Sequence, residues 1–147
     1  MSTFDADTFL GTETDAPMET HFKPVPEGEY TAMIDAVVAK EVNDSPVLDV
    51  TYIILDDALR TEMNMERVSV RQSIFIDMES DGRIALGENR NVKLGKLREA
   101  LGQNNAGAWA PRMLVGAGPV TIKTINKPDK NDPETIYSNV QRVAAAA

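Results

Sequence analysis

Asn91-Val92-Lys93-Leu94-Gly95-Lys96-Leu97-Arg98-Glu99-Ala100-Leu101-Gly102 is the stretch where the apolar period of this chain changes. Leu94, Leu97 and Leu101 fall at i, i+3 and i+7 on one helical face, with Lys93, Lys96 and Arg98 elsewhere on its surface. The spacing predicts a helix over 92–103, with Asn91 as N-cap and Gly102 with Asn104–Gly107 as the stop. On both sides of it apolar residues recur at every second position, the period of a half-buried strand.

Upstream, a first strand is predicted over 28–40, with Tyr30, Ile34 and Val38 on one face, and Asn43-Asp44-Ser45-Pro46 is a strong turn signal. A second strand over 47–55 turns Leu48, Val50, Tyr52 and Ile54 to the core, and residues 56–65 read as a connector. The third, over 67–77, has Val68, Val70, Ile74 and Ile76 inside and Arg67, Ser69, Arg71, Ser73 and Phe75 outside. Two more strands follow the helix, at about 113–125 and 135–143, joined by the turn-rich Lys127-Pro128-Asp129-Lys130-Asn131-Asp132-Pro133. Gly116-Ala117-Gly118-Pro119 opens no helix and reads as a bulge or bend in strand four. The order strand-strand-strand-helix-strand-strand is that of an oligonucleotide/oligosaccharide-binding (OB) fold, a five-stranded Greek-key barrel with its helix between strands three and four. A β-sandwich with one helix is the alternative architecture.

Residues 1–27 lack either periodicity and are rich in Thr, Asp, Glu and Pro, which marks an acidic, flexible N-terminal arm before a barrel domain at 28–147. Phe4, Phe9 and Phe22 are the side chains that could tack the arm down. Cysteine is absent, which excludes disulfides and thiolate metal sites. The start has no basic segment followed by an apolar one, and no run approaches the roughly 18 apolar residues of a membrane span. A cytoplasmic location without membrane partners is expected, in the host cytoplasm if the source is viral.

The net charge of −8 argues against a polyanionic partner only when taken whole. Residues 1–20 carry five acids and no bases, 21–82 thirteen acids and five bases, and 83–142 ten bases and five acids. The molecule is therefore polarised, with its anion-binding potential in the second half.

Catalytic chemistry finds no support, and no enzymatic activity or cofactor is expected. The only histidine, His21, sits in the arm, where nothing would hold it against a substrate, and reads as an inert surface residue. Nucleophile elbows, a phosphate-binding P-loop and a dinucleotide turn are missing. Asp77 to Glu88 fits the register of a twelve-residue calcium loop, with Asp77, Glu79, Asp81 and Glu88 as candidate ligands and Gly82 at the turn. A strand precedes it where that motif needs a helix, so an ordinary strand-exit turn is the favoured reading.

Single-stranded nucleic acid requires cations for phosphates and flat side chains for unpaired bases. Arg67, Arg71 and Phe75 supply both on the outer face of strand three. Tyr137 is placed outward on strand five, Trp109 is either a barrel plug or a stacking residue beside Arg112, and Lys123, Lys127 and Lys130 surround the last hairpin. Arg90, Lys93 and Lys96 complete the candidate nucleic-acid-binding set.

Two stretches, Phe22-Lys23-Pro24-Val25-Pro26-Glu27-Gly28-Glu29-Tyr30 and Gly87 through Gly102, give the chain a resemblance over about residues 22–143 to a family of small phage-encoded proteins. Many members have no known function, and some are regarded as single-stranded-DNA-binding proteins with an OB-fold. The resemblance implies a sequence-tolerant DNA binder in replication or recombination. The chain departs from bacterial single-strand binders in ending on Val143-Ala144-Ala145-Ala146-Ala147 rather than an acidic tip. Recruitment of replication or recombination proteins would then fall to the acidic arm, and homo-oligomerisation is left open. The alternative is a non-enzymatic interaction protein, such as a virion accessory subunit.

Overall fold

Asn43 and Asp44 adopt left-handed backbone, with φ of 50° and 65°, and reverse the chain within two residues. Such a hairpin needs positive φ at both positions, which short polar side chains tolerate. It joins β1 (Gly28–Val42) to β2 (Ser45–Ile54) in antiparallel register, from Val42↔Ser45 to Ala32↔Ile54. The structure is a computed structural model that describes residues 3–146; Met1, Ser2 and Ala147, at the ends of the expected arm and domain, lie outside them. Helix α1 (Ala6–Leu10) precedes the hairpin, and α2 (Asp57–Met63), β3 (Ser69–Phe75), α3 (Val92–Ala100), a 3-10 turn at Pro111–Leu114, β4 (Val120–Pro128) and β5 (Ile136–Ala145) follow it.

The protein is mainly β, and its five strands form one sheet that closes into a ring in the order β1-β2-β3-β5-β4. Closure depends on the length of β1. Its first residues, Gly28–Ala32, pair with β4, and Ala32–Val42 pair with β2. Three residues past Ala32, where the two halves meet, Asp35 is an extra residue within the β2-paired half, a β-bulge that bends the strand away from the line of β4. The bulge is held by the strap before β4, where Ile34 N–H donates to Ala117 O and Gly116 N–H donates to Ile34 O, both at 2.9 Å. The last seam, β3 to β5, is parallel and carries the one pair Arg71↔Asn139.

Inside the ring Ala32, Ile34, Val50, Tyr52, Ile54, Val70, Ile74, Val120 and Ile122 form a continuous core. Leu59 of α2, Leu94 and Leu97 of α3 and Leu114 of the 3-10 turn pack onto it. Gly95 makes α3 a poor helix in isolation, by roughly 1 kcal/mol relative to alanine, whereas each buried leucine contributes about 1.5–3 kcal/mol. Tertiary packing therefore forms α3. Among the described residues no helix is long and apolar enough to cross a membrane.

Several expectations need correction. Val38 is 58% exposed rather than inward, because the bulge at Asp35 shifts the alternation and turns Val37 towards the core. The connector at 56–65 holds α2, started by Asp56, whose carboxylate accepts from Leu59 N–H, and ended at Asn64 in left-handed backbone. The fold thus has three α-helices among the described residues, of which α3 is the one expected between strands three and four. Strand four begins at Val120 rather than 113, since Pro111 starts a 3-10 turn and Gly116 and Gly118 take positive φ. Ile136, which alternation with the outward Tyr137 would turn inward, lies at the start of β5 and is exposed. In the arm, Phe4 packs on Phe9 of α1 with centroids 5.4 Å apart, and Phe22 is 91% exposed. Val25 is the residue that anchors it, buried in the core with its N–H donating to Ser138 Oγ at 2.8 Å.

Gly118 sits where the strap crosses β1. A Cβ there would stand 2.9 Å from Met33 Sδ and 3.2 Å from Ala32 O, at φ +135°. That backbone region is essentially closed to other residues. Gly118→Ala is expected to destabilise the protein by about 2–4 kcal/mol in chemical denaturation. Gly95→Ala, with nothing within 4 Å of the added methyl, should raise stability by about 0.5–1 kcal/mol. Equal effects of the two changes would remove the strap from its role in closure.

Candidate nucleic-acid interface

Alternation along β3 buries Val70, Gln72 and Ile74 and leaves Ser69, Arg71, Ser73 and Phe75 outside. Phe75 is 60% exposed, so neither the arm nor a helix covers it. Parallel pairing of Arg71 with Asn139 sets Tyr137, two residues earlier on β5, on the same outer surface, where it is 52% exposed. Arg71 thus lies between two exposed aromatic rings. Phe75 stands four positions further along β3, about 13 Å at strand rise. Among the described residues Arg71 makes no ion pair.

The rest of this surface is not uniformly basic. Arg67, just before β3, is committed to Asp35 at the β1 bulge, at 2.8 Å. On β2, Asp49 stands opposite Ser73, accepts its hydroxyl at 2.7 Å and pairs with Lys40 Nζ at 2.8 Å. The hydrogen bonds from Lys40 and Ser73 hold the Asp49 carboxyl below its ordinary pKa, with the charge of Arg71 adding to the effect. Beside β5, the Asp129 carboxylate accepts from the Tyr137 hydroxyl and raises its pKa.

The loop from β3 to α3 is a structural clasp. Asp77 and Asn91 bond reciprocally: Asn91 Oδ1 accepts from Asp77 N–H at 2.7 Å, Asn91 Nδ2 donates to Asp77 O at 3.0 Å, and Asp77 Oδ2 accepts from Asn91 N–H at 3.2 Å. Asn91 Nδ2 also donates to Ala85 O at 2.8 Å. Asn91 therefore precedes α3 as expected but does not cap it, since its left-handed backbone turns the side chain to the loop. Asp81 is engaged with Arg83 at 2.8 Å, and Met78 bridges to Ile84. The carboxylates of Asp77, Glu79, Asp81 and Glu88 do not converge; among the described residues the one trio of potential ligands within reach of an ion is His21, Asp132 and Glu134, all exposed.

The remaining candidates divide into separate groups. Trp109 is partly buried against the core, donates Nε1–H to Gln103 Oε1 at 2.9 Å and is covered by the Arg98 guanidinium 4.3 Å above its ring. One face is thus occupied by a cation–π contact. Arg90 is exposed where the clasp meets α3, and Arg112 is exposed on the 3-10 turn. Lys127 and Lys130 are exposed at the β4–β5 hairpin. Lys93 and Lys96 of α3 line one cleft with Lys123 of β4 and Arg142 of β5. Gln72, Asn139 and Arg142 were outside the predicted set. Gln72 occupies an inward position in an otherwise apolar alternation, a signal visible in the sequence, whereas Asn139 and Arg142 gain their places only through the β3–β5 seam and the β4–β5 pairing. No protein-family model and no curated protein matches this chain.

Because the pKa of Asp49 is lowered in the fold, the stabilisation from its network is fully present above the ordinary carboxylate pKa. It is lost as pH falls through the lowered value. Asp49→Asn should cost about 1 kcal/mol near neutral pH, after discounting for the half-exposed Lys40. Thermal denaturation across the acid range should show the variant and parent converging as pH falls; a constant gap would mean that the charge of Asp49 contributes nothing.

Proposed function

We propose that the protein is a non-enzymatic, sequence-tolerant single-stranded-DNA-binding protein of phage type, built on an OB-like Greek-key barrel and acting in replication or recombination. The fold reading is supported by the element order and by the ring β1-β2-β3-β5-β4 with α3 between β3 and β4 in the chain. The observation that carries the functional reading is the exposure of Phe75 and Tyr137 on either side of Arg71, which makes no ion pair among the described residues. OB-folds bind across strands two and three, and bases stacked on aromatic side chains are bound with little regard to sequence. Exposed on strands, both rings offer a face to an unpaired base without rearrangement of the core. Arg71 supplies a phosphate contact between them, and Lys127 and Lys130 add charge at the hairpin.

A second reading, as an interaction protein, is favoured by the arm. Phe9 and Leu10 are 62% and 79% exposed on α1, within a segment that carries five acids and no bases. An acidic segment with apolar side chains suits a basic protein partner.

Fluorescence anisotropy of labelled oligo(dT) across a salt series separates these readings. Phe75→Ala should weaken binding about tenfold and leave the salt slope unchanged, because stacking contributes about 1–3 kcal/mol per base. Arg71→Ala should make the slope shallower by about 0.7. Since Phe75 is exposed, its variant should melt within about 0.5 kcal/mol of the parent. A parent protein that ignores oligo(dT) at low salt would transfer the case to the interaction reading.

A further inference from the structure

Beyond the pair Arg71↔Asn139, β3 and β5 part, and α3 lies over the gap with a cleft of about 530 Å³ beneath it. At the cleft is Gln72, which is 5% exposed. Its Oε1 accepts the hydroxyl of Tyr52, also fully buried, at 2.7 Å. This orientation is required. The Tyr52 hydroxyl is kept protonated, its pKa raised by burial, and its proton has no other acceptor among the described residues. The amide nitrogen of Gln72 is thereby left as a donor that makes no hydrogen bond among the described residues, and it faces the cleft. Solvent reaches this nitrogen at the cleft, since Arg60 Nε is the one buried side-chain nitrogen or oxygen without a partner among the described residues, so the amide is available to donate to a ligand that enters.

Cations surround that donor. Lys93 and Lys96 come from α3, Lys123 from β4 and Arg142, its cross-strand partner, from β5. The three lysines make no ion pair among the described residues, and Arg142 has a partly exposed contact with Glu29 at 3.5 Å. The first turn of α3 adds Val92 and Lys93 to the wall, and no side chain caps that turn. Val92 and Val143 supply apolar surface. Four cationic groups thus gather in one cleft of a protein whose net charge is −8.

We propose that this cleft binds a phosphate monoester of nucleotide size, its phosphate oxygens accepting from Gln72 and neutralised by Lys93, Lys96, Lys123 and Arg142. A monoester carries about −1.5 to −2 charges at neutral pH, against one for an internal diester, and so matches the cation cluster better. The volume lies within the range of small-molecule sites and leaves room for an apolar part against the valines. The source is either a free nucleotide or the phosphorylated end of a strand. The site does not depend on strand binding at Phe75.

Calorimetric titration of the full chain compares thymidine monophosphate with thymidine, and 5′-phosphorylated with 5′-hydroxyl oligo(dT). The phosphate should tighten binding about tenfold, as expected of one charge-assisted hydrogen bond. A gain with the mononucleotide assigns the site to free nucleotides, and a gain with the oligonucleotide alone assigns it to strand ends. The double variant Lys93→Gln/Lys96→Gln, at exposed positions, should abolish the gain without changing the melting temperature. Gln72→Glu, which keeps an acceptor for Tyr52 but sets a carboxylate at a buried position, should also abolish the gain, with a lowered melting temperature. No gain in either pair, or a gain that survives the lysine substitutions, overturns the proposal, whatever the Phe75 variant does to oligo(dT) binding.

Discussion

The bond pair between Ile34 and the strap at Gly116–Ala117 is the contact on which the ring depends. A strand that hydrogen-bonds to β4 at one end and β2 at the other must change direction, and a flat ladder cannot do so. The extra residue Asp35 gives the bend, and the strap occupies the backbone groups that the bend would otherwise leave unmatched. Gly118 permits the approach because any side chain would meet Met33 and Ala32. The bulge also explains the outward Val38 and places Asp35 where it takes up Arg67.

At the opposite side of the ring the closure is thin. One residue pair joins β3 to β5, and the core beside it holds a polar pair, Tyr52 and Gln72, in place of a hydrocarbon contact. Buried polar groups are tolerated when each finds a partner. Here the hydroxyl finds one in Gln72 Oε1 and the amide nitrogen is left to solvent at the cleft, so the seam couples a structural hydrogen bond to a donor that faces outward. Helix α3 covers the seam through Leu94 and Leu97 while its lysines stand at the cleft. Packing and charge on one short helix thus serve different ends.

Electrostatics divide the surface in a way that net charge conceals. Acids on β1 and β2 are matched locally, Asp35 by Arg67 and Asp49 by Lys40. Among the described residues Arg71 and the α3 lysines make no ion pair. Arg67, just before β3, and Arg71, within it, therefore differ in availability. The acidic loop after β3 has the register of a cation site, but among the described residues its carboxylates do not converge and the first of them accepts from Asn91 N–H.

Much of the fold was legible in local patterns. Leu48, Val50, Tyr52 and Ile54, the inner and outer faces of β3, the Asn43-Asp44 turn and the helical period of Leu94 and Leu97 all depend on short-range geometry, and the structure agrees with them. The charge asymmetry and the outward Phe75 belong to the same class. Tertiary structure decided the rest. The bulge at Asp35, the start of β4, the cover of Arg98 over Trp109 and the commitment of Arg67 arise from contacts between segments distant in sequence. So does the cleft at Gln72, which requires β3, α3, β4 and β5 together. Periodicity reports which face of an element is apolar; it carries no information about which element lies against that face, and that is where the availability of each cation and ring is set.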